Sequence, residues 1–427
     1  MLYSVLMSRM DETEAPTTTS KGIIICVCSF FISAFSFGTI MNFALMLPTF
    51  LDEFNAGRTL TALVGSSQLS MIFMFGPLVG SLIDLFGMRK VSFAGGFLYS
   101  VGLISASYVN SIYGLFPTFS LIVSLASALL YSSTQITPVK CISSKYQGIA
   151  CSFVSSGGYT GTLSLSLLIT FLLEQFRWKV TFRILAYLGV VICVLSLTYG
   201  WIEEDGDISN RNRIPSCNWS LCKRPRYFVF MFGSGVAMFG WQVGNFFLAD
   251  RAKAYGIHEN QSKWFYFVFG IFGITFGLIA GKIGDMIRYR VILNISCLFL
   301  HGINTLFSYL CKTYSTLLIY SAFSGIFFGI YNSTLCLSVL DCVGAPNIAQ
   351  GFGFLVFYQG FAIFLGPPLA GFLRDTTGTF KLPLIIAGCL EMLGALISLP
   401  VAGVNRDDNL SSCLNSESRE NGDLTSV

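Results

Sequence analysis

The chain is 427 residues long, 53% hydrophobic and 15% aromatic, and only 11% of its residues are charged, far below the ~25% usual in soluble domains. A net charge of +4, spread along the chain, leaves no basic face and excludes a nucleic-acid partner. The composition is that of an all-α polytopic membrane protein, embedded in a lipid bilayer.

Residues 1–21 form an N-terminal tail with no long apolar core followed by a small-residue cleavage site, so no removable signal peptide is expected and the first span is its own anchor. About 20 apolar residues suffice to cross the hydrocarbon core as a helix. Twelve such runs follow, near 22–50, 60–83, 91–110, 112–138, 148–173, 180–202, 227–249, 264–284, 291–311, 313–340, 349–373 and 382–404. They are called spans 1 to 12 below. Between spans 6 and 7 the composition changes abruptly, with Glu203, Glu204, Asp205, Asp207, Arg211, Arg213, Lys223, Arg224 and Arg226 in one stretch. The expected division is therefore a six-helix half over 22–202, a cytoplasmic linker over 203–226, a second half over 227–404, and a polar, disordered tail over 405–427.

Between spans 2 and 3 stands Gly80-Ser81-Leu82-Ile83-Asp84-Leu85-Phe86-Gly87-Met88-Arg89-Lys90. Asp84 is a carboxylate at a helix end, where it can pair with the adjacent cations or with the positive N-terminal end of a neighbouring helix. Gly80, Asp84, Gly87, Arg89 and Lys90 are read as a conformational latch. The spacing resembles the loop between helices 2 and 3 of the major facilitator superfamily. A degenerate copy, Gly281-Lys282-Ile283-Gly284-Asp285-Met286-Ile287-Arg288-Tyr289-Arg290, follows span 8, with Asp285 lying 201 residues beyond Asp84. Gly281 and Asp285 join the latch set, and the repeat points to two six-helix pseudo-repeats, the major facilitator fold.

With both termini inside, the inner segments hold 16 Lys and Arg and the outer loops 10, the bias expected of cytoplasmic loops. Both Asp-bearing turns then face the cytoplasm. Asn260-Gln261-Ser262 is the sequon placed outside, while those at Asn218 and Asn409 lie inside and Asn294 and Asn332 are buried. The thirteen cysteines fall mostly in apolar spans or cytoplasmic segments and are expected to be reduced.

Lys145-Tyr146-Gln147-Gly148-Ile149-Ala150, Ser155-Ser156-Gly157-Gly158 and Phe176-Arg177-Trp178-Lys179 resemble helix 5 and its flanks in the monocarboxylate transporter family. Gly366-Pro367-Pro368-Leu369-Ala370-Gly371, with Asp375 and Gly378, resembles that family's helix 11. The resemblance runs along almost all of 22–404. It implies a carrier, not an enzyme, moving a small organic solute by symport with protons, in the plasma membrane, with an accessory membrane subunit as a further partner. The departures are specific. Where proton-coupled members have a lysine in helix 1 and an aspartate and arginine in helix 8, this chain has Leu45, Gly273 and Gly277. An unpaired carboxylate at mid-membrane is costly, so an uncoupled carrier of a neutral or zwitterionic solute, such as an amino acid, is the alternative. A transporter-like scaffold that moves nothing is the third reading.

Uncharged polar groups recur on the inner spans: Asn42, Gln68, Gln135, Gln242, Asn245, Asn332, Ser333, Cys336, Tyr358 and Gln359. Amides and hydroxyls there can hydrogen-bond a solute, or can simply hold helices together. His301 and Glu391, the two ionisable residues near mid-span, are the proton-coupling candidates. Arg183, near the end of span 6, reads as an interfacial cation. There is no metal cluster, nucleophile triad or phosphate loop, so no cofactor is expected. The chain ends Thr425-Ser426-Val427, which fits the carboxylate-terminated strand that a PDZ domain accepts.

Overall fold

The computed structural model describes residues 19–55, 57–204, 219–287 and 289–403. The expectations for Asn218, Arg288, Asn409 and Thr425–Val427 lie outside these residues. Every described element is helical, and the helices fill the twelve expected spans in two halves of six. Among the described residues nine helices are long and apolar enough to cross a membrane, and a helix pair bent by 45°, Leu63–Met74 with Gly76–Phe86, makes a tenth. Met88–Ser107 and Pro225–Phe246 complete the twelve; their glycines, serines and terminal charges dilute their hydropathy.

Several spans are less regular than their apolar runs suggest. Span 1 is Thr19–Met41 followed, after a break at Asn42, by Phe43–Phe54. There the Asn42 side-chain amide donates to the carbonyls of Gly38 at 2.7 Å and Thr162 at 2.9 Å, competing with the backbone ladder. Span 2 bends between Arg58–Met74 and Gly76–Phe86, next to Pro77, which has no N–H to continue the ladder. Span 4 covers Ile112–Cys141 and contains a π-helical stretch, Phe116–Val123, that starts beside Pro117. The remaining spans are Gln147–Gln175, Trp178–Ser196, Glu259–Met286, Arg290–Phe307, Tyr314–Val343, Ile348–Thr377 and Lys381–Ser398.

Small residues set the packing, as expected where lipid removes most of the hydrophobic drive between helices. Span 1 lies on span 5 so closely that a methyl group at Gly161 would fall 2.0 Å from the Ala34 carbonyl. Span 7 meets span 12 in the same way, where a methyl at Gly240 would fall 2.1 Å from the Ala387 carbonyl. Within the first half spans 1 and 5 and spans 3 and 6 pack together; in the second half spans 7 and 11, 7 and 12, 8 and 10, and 9 and 12 do so. Spans 2 and 11, and spans 5 and 8, make the principal contacts between halves. These last two contacts exchange places under the pseudo-repeat.

Candidate functional site

The two inter-half crossings lie at the end of the bundle that carries the 84–90 turn. At one, spans 2 and 11 touch through glycines: a methyl at Gly76 would fall 2.2 Å from the Gly353 carbonyl, and one at Gly80 would fall 2.6 Å from the Ala349 carbonyl. Beside this contact Gln350 donates from Nε2 to Asp84 Oδ2 at 2.9 Å. At the other, a methyl at Gly148 would fall 2.3 Å from the Gly281 carbonyl. Here the N–H of Gly148 donates to Asp285 Oδ1 at 2.6 Å and that of Ile149 to Oδ2 at 2.9 Å. Both amides belong to the first turn of span 5, so the carboxylate also meets the positive end of the helix dipole. Each half thus places an aspartate on the other half. Gly87 has φ of 81°, a value that glycine adopts without strain, and turns the chain from span 2 into span 3. Arg89 lies against Gly200 at the end of span 6, and Lys90 is exposed.

The centre is filled by rings. Tyr131 of span 4 packs on Phe37 at 5.9 Å, Phe73 at 5.5 Å and, across the halves, Phe352 at 5.9 Å. Tyr159 of span 5 meets Phe269 at 6.2 Å and Phe328 at 6.1 Å, and Phe328 is stacked on Trp241 at 4.0 Å. These clusters were not anticipated from sequence, although 41 Phe and 18 Tyr are its clearest signal for them. The Trp241 indole N–H is buried without a hydrogen-bond partner among the described residues. Two cavities lie elsewhere. One of about 520 Å³ is at the opposite end between Glu53, Glu174 and Trp178, and one of about 390 Å³ is on the flank of spans 9 and 12.

The cavity candidates separate into two groups. Asn42 ties span 1 to span 5, Gln135 accepts from Ser155 Oγ at 3.0 Å, and Asn245 donates to the Trp241 carbonyl of its own helix at 3.3 Å. Gln359 donates at 2.7 Å to both Ser234 Oγ and Tyr331 Oη, closing a triad within the second half. Asn332 stands beside the Tyr159 hydroxyl, Gln242 is buried on span 7, and Tyr358 is half-buried beside Phe357. Gln68 is fully buried on span 2, with both side-chain polar atoms unpartnered among the described residues.

Leu45 packs on the apolar core, and the two helix 8 glycines sit in a seam. A methyl at Gly273 would fall 3.2 Å from the Tyr159 ring, one at Gly277 2.8 Å from Ser333 Oγ, and one at Gly329 of span 10 2.3 Å from the Gly273 carbonyl. Spans 8 and 10 have closed over the space that two charged side chains would need.

His301 and Glu391 are together, with Nδ1 2.5 Å from Oε2 and both residues buried. They join spans 9 and 12 within the second half. Thr305 Oγ1 lies 3.4 Å from the same ring nitrogen. Two further cations, Arg251 and Arg290, are fully buried. They stand at helix ends, Arg251 donating to the Ser308 carbonyl at 2.5 Å and Arg290 to that of Gly284 at 3.1 Å. Their burial was not legible from sequence. Arg183 stays exposed, over the Tyr108 ring at 4.7 Å.

The family model of the Major Facilitator Superfamily matches residues 27–248 and 230–412. Monocarboxylate transporter 10 of Mus musculus is 26% identical over 408 residues, which cover 91% of this chain and 80% of that protein. Monocarboxylate transporter 2 of Homo sapiens is 25% identical over 422 residues, covering 91% and 87%. Among solved structures, the human organic anion transporter MFSD10 superposes with a TM-score of 0.73 at 11% identity, covering 88% of this chain and 99% of that one. The proton:xylose symporter XylE, bound to 6-bromo-6-deoxy-D-glucose, gives 0.70 at 15% identity, covering 89% and 96%.

Proposed function

The chain belongs to the Major Facilitator Superfamily, as a monocarboxylate transporter-like membrane transporter, and from that premise we propose that it carries a small organic solute by alternating access. The supporting observation is the reciprocal pair of inter-half contacts, in which Asp84 reaches Gln350 and Asp285 reaches the amides of Gly148 and Ile149. All are hydrogen bonds that rocking of the halves breaks without unfolding either half. They act as the latch that shuts the cytoplasmic end. The matching division is the one expected from sequence, with a linker over 203–226 and both termini cytoplasmic.

A second reading, uncoupled transport of a neutral or zwitterionic solute, is favoured by the seam at Gly273 and Gly277. No charged side chain at those positions could meet a carboxylate or carry its proton. Gln242, Asn332, Ser333, Cys336 and Tyr358, with the Trp241 N–H that has no hydrogen-bond partner among the described residues, are the groups assigned to solute contact. His301 and Glu391 are assigned to the scaffold of the second half, because their bond does not cross between halves. Uptake of a labelled solute panel into proteoliposomes, with and without a pH gradient, separates the cases. Gradient-driven accumulation identifies symport, equilibration alone identifies the uncoupled carrier, and absence of flux across the panel points to the scaffold. The plasma membrane, an accessory subunit and a PDZ partner at Thr425–Val427 complete the proposal. A peptide of the last ten residues is expected to bind a PDZ domain at micromolar strength and to lose binding when one alanine follows Val427.

A further inference from the structure

Arg251 stands in the short helix Leu248–Ala254 that follows span 7, at the end of the bundle opposite the latch. Leu248 and Ala252 of this helix are buried, and Arg251, on the same face, is carried in with them: it is 0% exposed, while Asp250 and Lys253 stay exposed. Its Nη2 donates to the Ser308 carbonyl, at the end of span 9, at 2.5 Å, and its guanidinium carbon lies 5.5 Å from the centre of the Tyr320 ring of span 10. Nε and Nη1 have no hydrogen-bond partner among the described residues, and no carboxylate among them pairs with the charge. The Tyr320 hydroxyl is likewise buried and without a hydrogen-bond partner among the described residues. A buried charge left unpaired is costly, and a neutral carbonyl with the face of a ring offsets only part of that cost. The walls around the group are apolar, since Leu248, Ala252, Phe265 and Leu317 form one buried cluster with Tyr320.

We propose that Arg251 and Tyr320 hold a small monovalent inorganic anion of the chloride class, which ties the segment after span 7 to the ends of spans 9 and 10. The groups on offer are all donors, two guanidinium N–H groups and a phenol O–H, so they suit an acceptor that carries negative charge. One cation without a carboxylate balances one negative charge, which favours chloride over sulfate or phosphate. Neither of the two cavities described above is lined by these residues, and packed apolar walls suit an ion of atomic size rather than an organic solute. Glu391 does not serve as the counter-ion, since its carboxylate is held by His301 and lies beyond ion-pairing distance of the guanidinium. Span 7 closes the site from below: a methyl at Gly244 would fall 2.5 Å from the Tyr320 hydroxyl and 3.5 Å from Thr305 Oγ1. The site stands whether or not the chain transports, because every residue in it belongs to the second half.

The test uses the full chain, purified in detergent with gluconate as the anion, and chloride as the probe. Sodium chloride replaces sodium gluconate at constant ionic strength while the melting temperature is read, and binding of radioactive chloride is measured on the same protein by scintillation proximity. A saturable rise of about 3 °C is expected, together with saturable bound label that unlabelled bromide displaces. Tyr320→Phe removes one donor to the ion and is expected to raise the half-saturating chloride concentration by about tenfold. Arg251→Gln is expected to lose both the shift and the label, and Lys253→Gln, which changes an exposed cation of the same helix, to keep both. Absence of bound label in the folded parent overturns the site. A shift that survives in folded Arg251→Gln is a bulk effect of salt and overturns it too, and if that variant does not fold, an unchanged half-saturating concentration in Tyr320→Phe does the same. Acetate that stabilises the parent where chloride does not assigns Arg251 to a carboxylate and overturns the inorganic anion.

Discussion

Asp84 and Asp285 occupy equivalent places in the two halves, yet their partners differ in kind. Asp285 accepts from two backbone amides at a helix N-terminus, whereas Asp84, which is exposed, accepts from a glutamine side chain. A charge at a helix N-terminus contributes roughly 0.3–2 kcal/mol, and each 1.4 kcal/mol is about tenfold in an equilibrium. Asp285→Asn is therefore expected to lower uptake by up to about 25-fold, and Asp84→Asn by less, with surface expression largely kept; labelled-solute uptake at matched surface levels checks both. Gly148→Ala should abolish uptake outright, because its methyl would collide with the Gly281 carbonyl and the Asp285 carboxylate. Both aspartates were legible in sequence because their motif recurs. Gly148 and Gln350 were not legible as their partners, since nothing along the chain records which helix ends cross in space. Asn42 and Gln135 show the converse, polar residues whose types suit a solute but whose hydrogen bonds go to neighbouring helices.

At the scale of the helices, apolar runs gave the twelve spans to within a few residues, while the breaks at Asn42 and Phe75 escaped, because hydropathy counts residues and not hydrogen bonds. The seam between spans 8 and 10 is sharper evidence than the missing charges alone. Restoring Gly273→Asp or Gly277→Arg would drive side chains into Tyr159, Ser333 and the span 10 backbone. Both variants are expected to lose monodisperse protein in fluorescence-detected size exclusion, and neither to create proton coupling. The His301–Glu391 bond makes a different prediction for spans 9 and 12. Removing one partner of a buried pair costs about 3–5 kcal/mol when the other stays charged. His301→Ala should accordingly lower the melting temperature in detergent more than Glu391→Gln, which leaves no carboxylate behind. If the pair serves the scaffold, Glu391→Gln retains uptake in proportion to folded protein.

For the whole molecule, the absence of fixed charge at Leu45, Gly273 and Gly277 governs how transport responds to its surroundings. Uptake is expected to change little as outside pH goes from 6 to 7.5, and a steep rise at acid pH would assign coupling to another group. The same seam has an electrical consequence. Moving one elementary charge across the membrane is worth about 2.3 kcal/mol per 100 mV, so a carrier that turns a charged binding site through the bilayer feels the potential on every empty return. With glycines where those charges would sit, the proposed alternating-access cycle would carry no gating charge at these positions. Clamping proteoliposomes at opposite potassium diffusion potentials should leave the rate for a neutral or zwitterionic solute unchanged, so that a cell could depolarise without altering its flux.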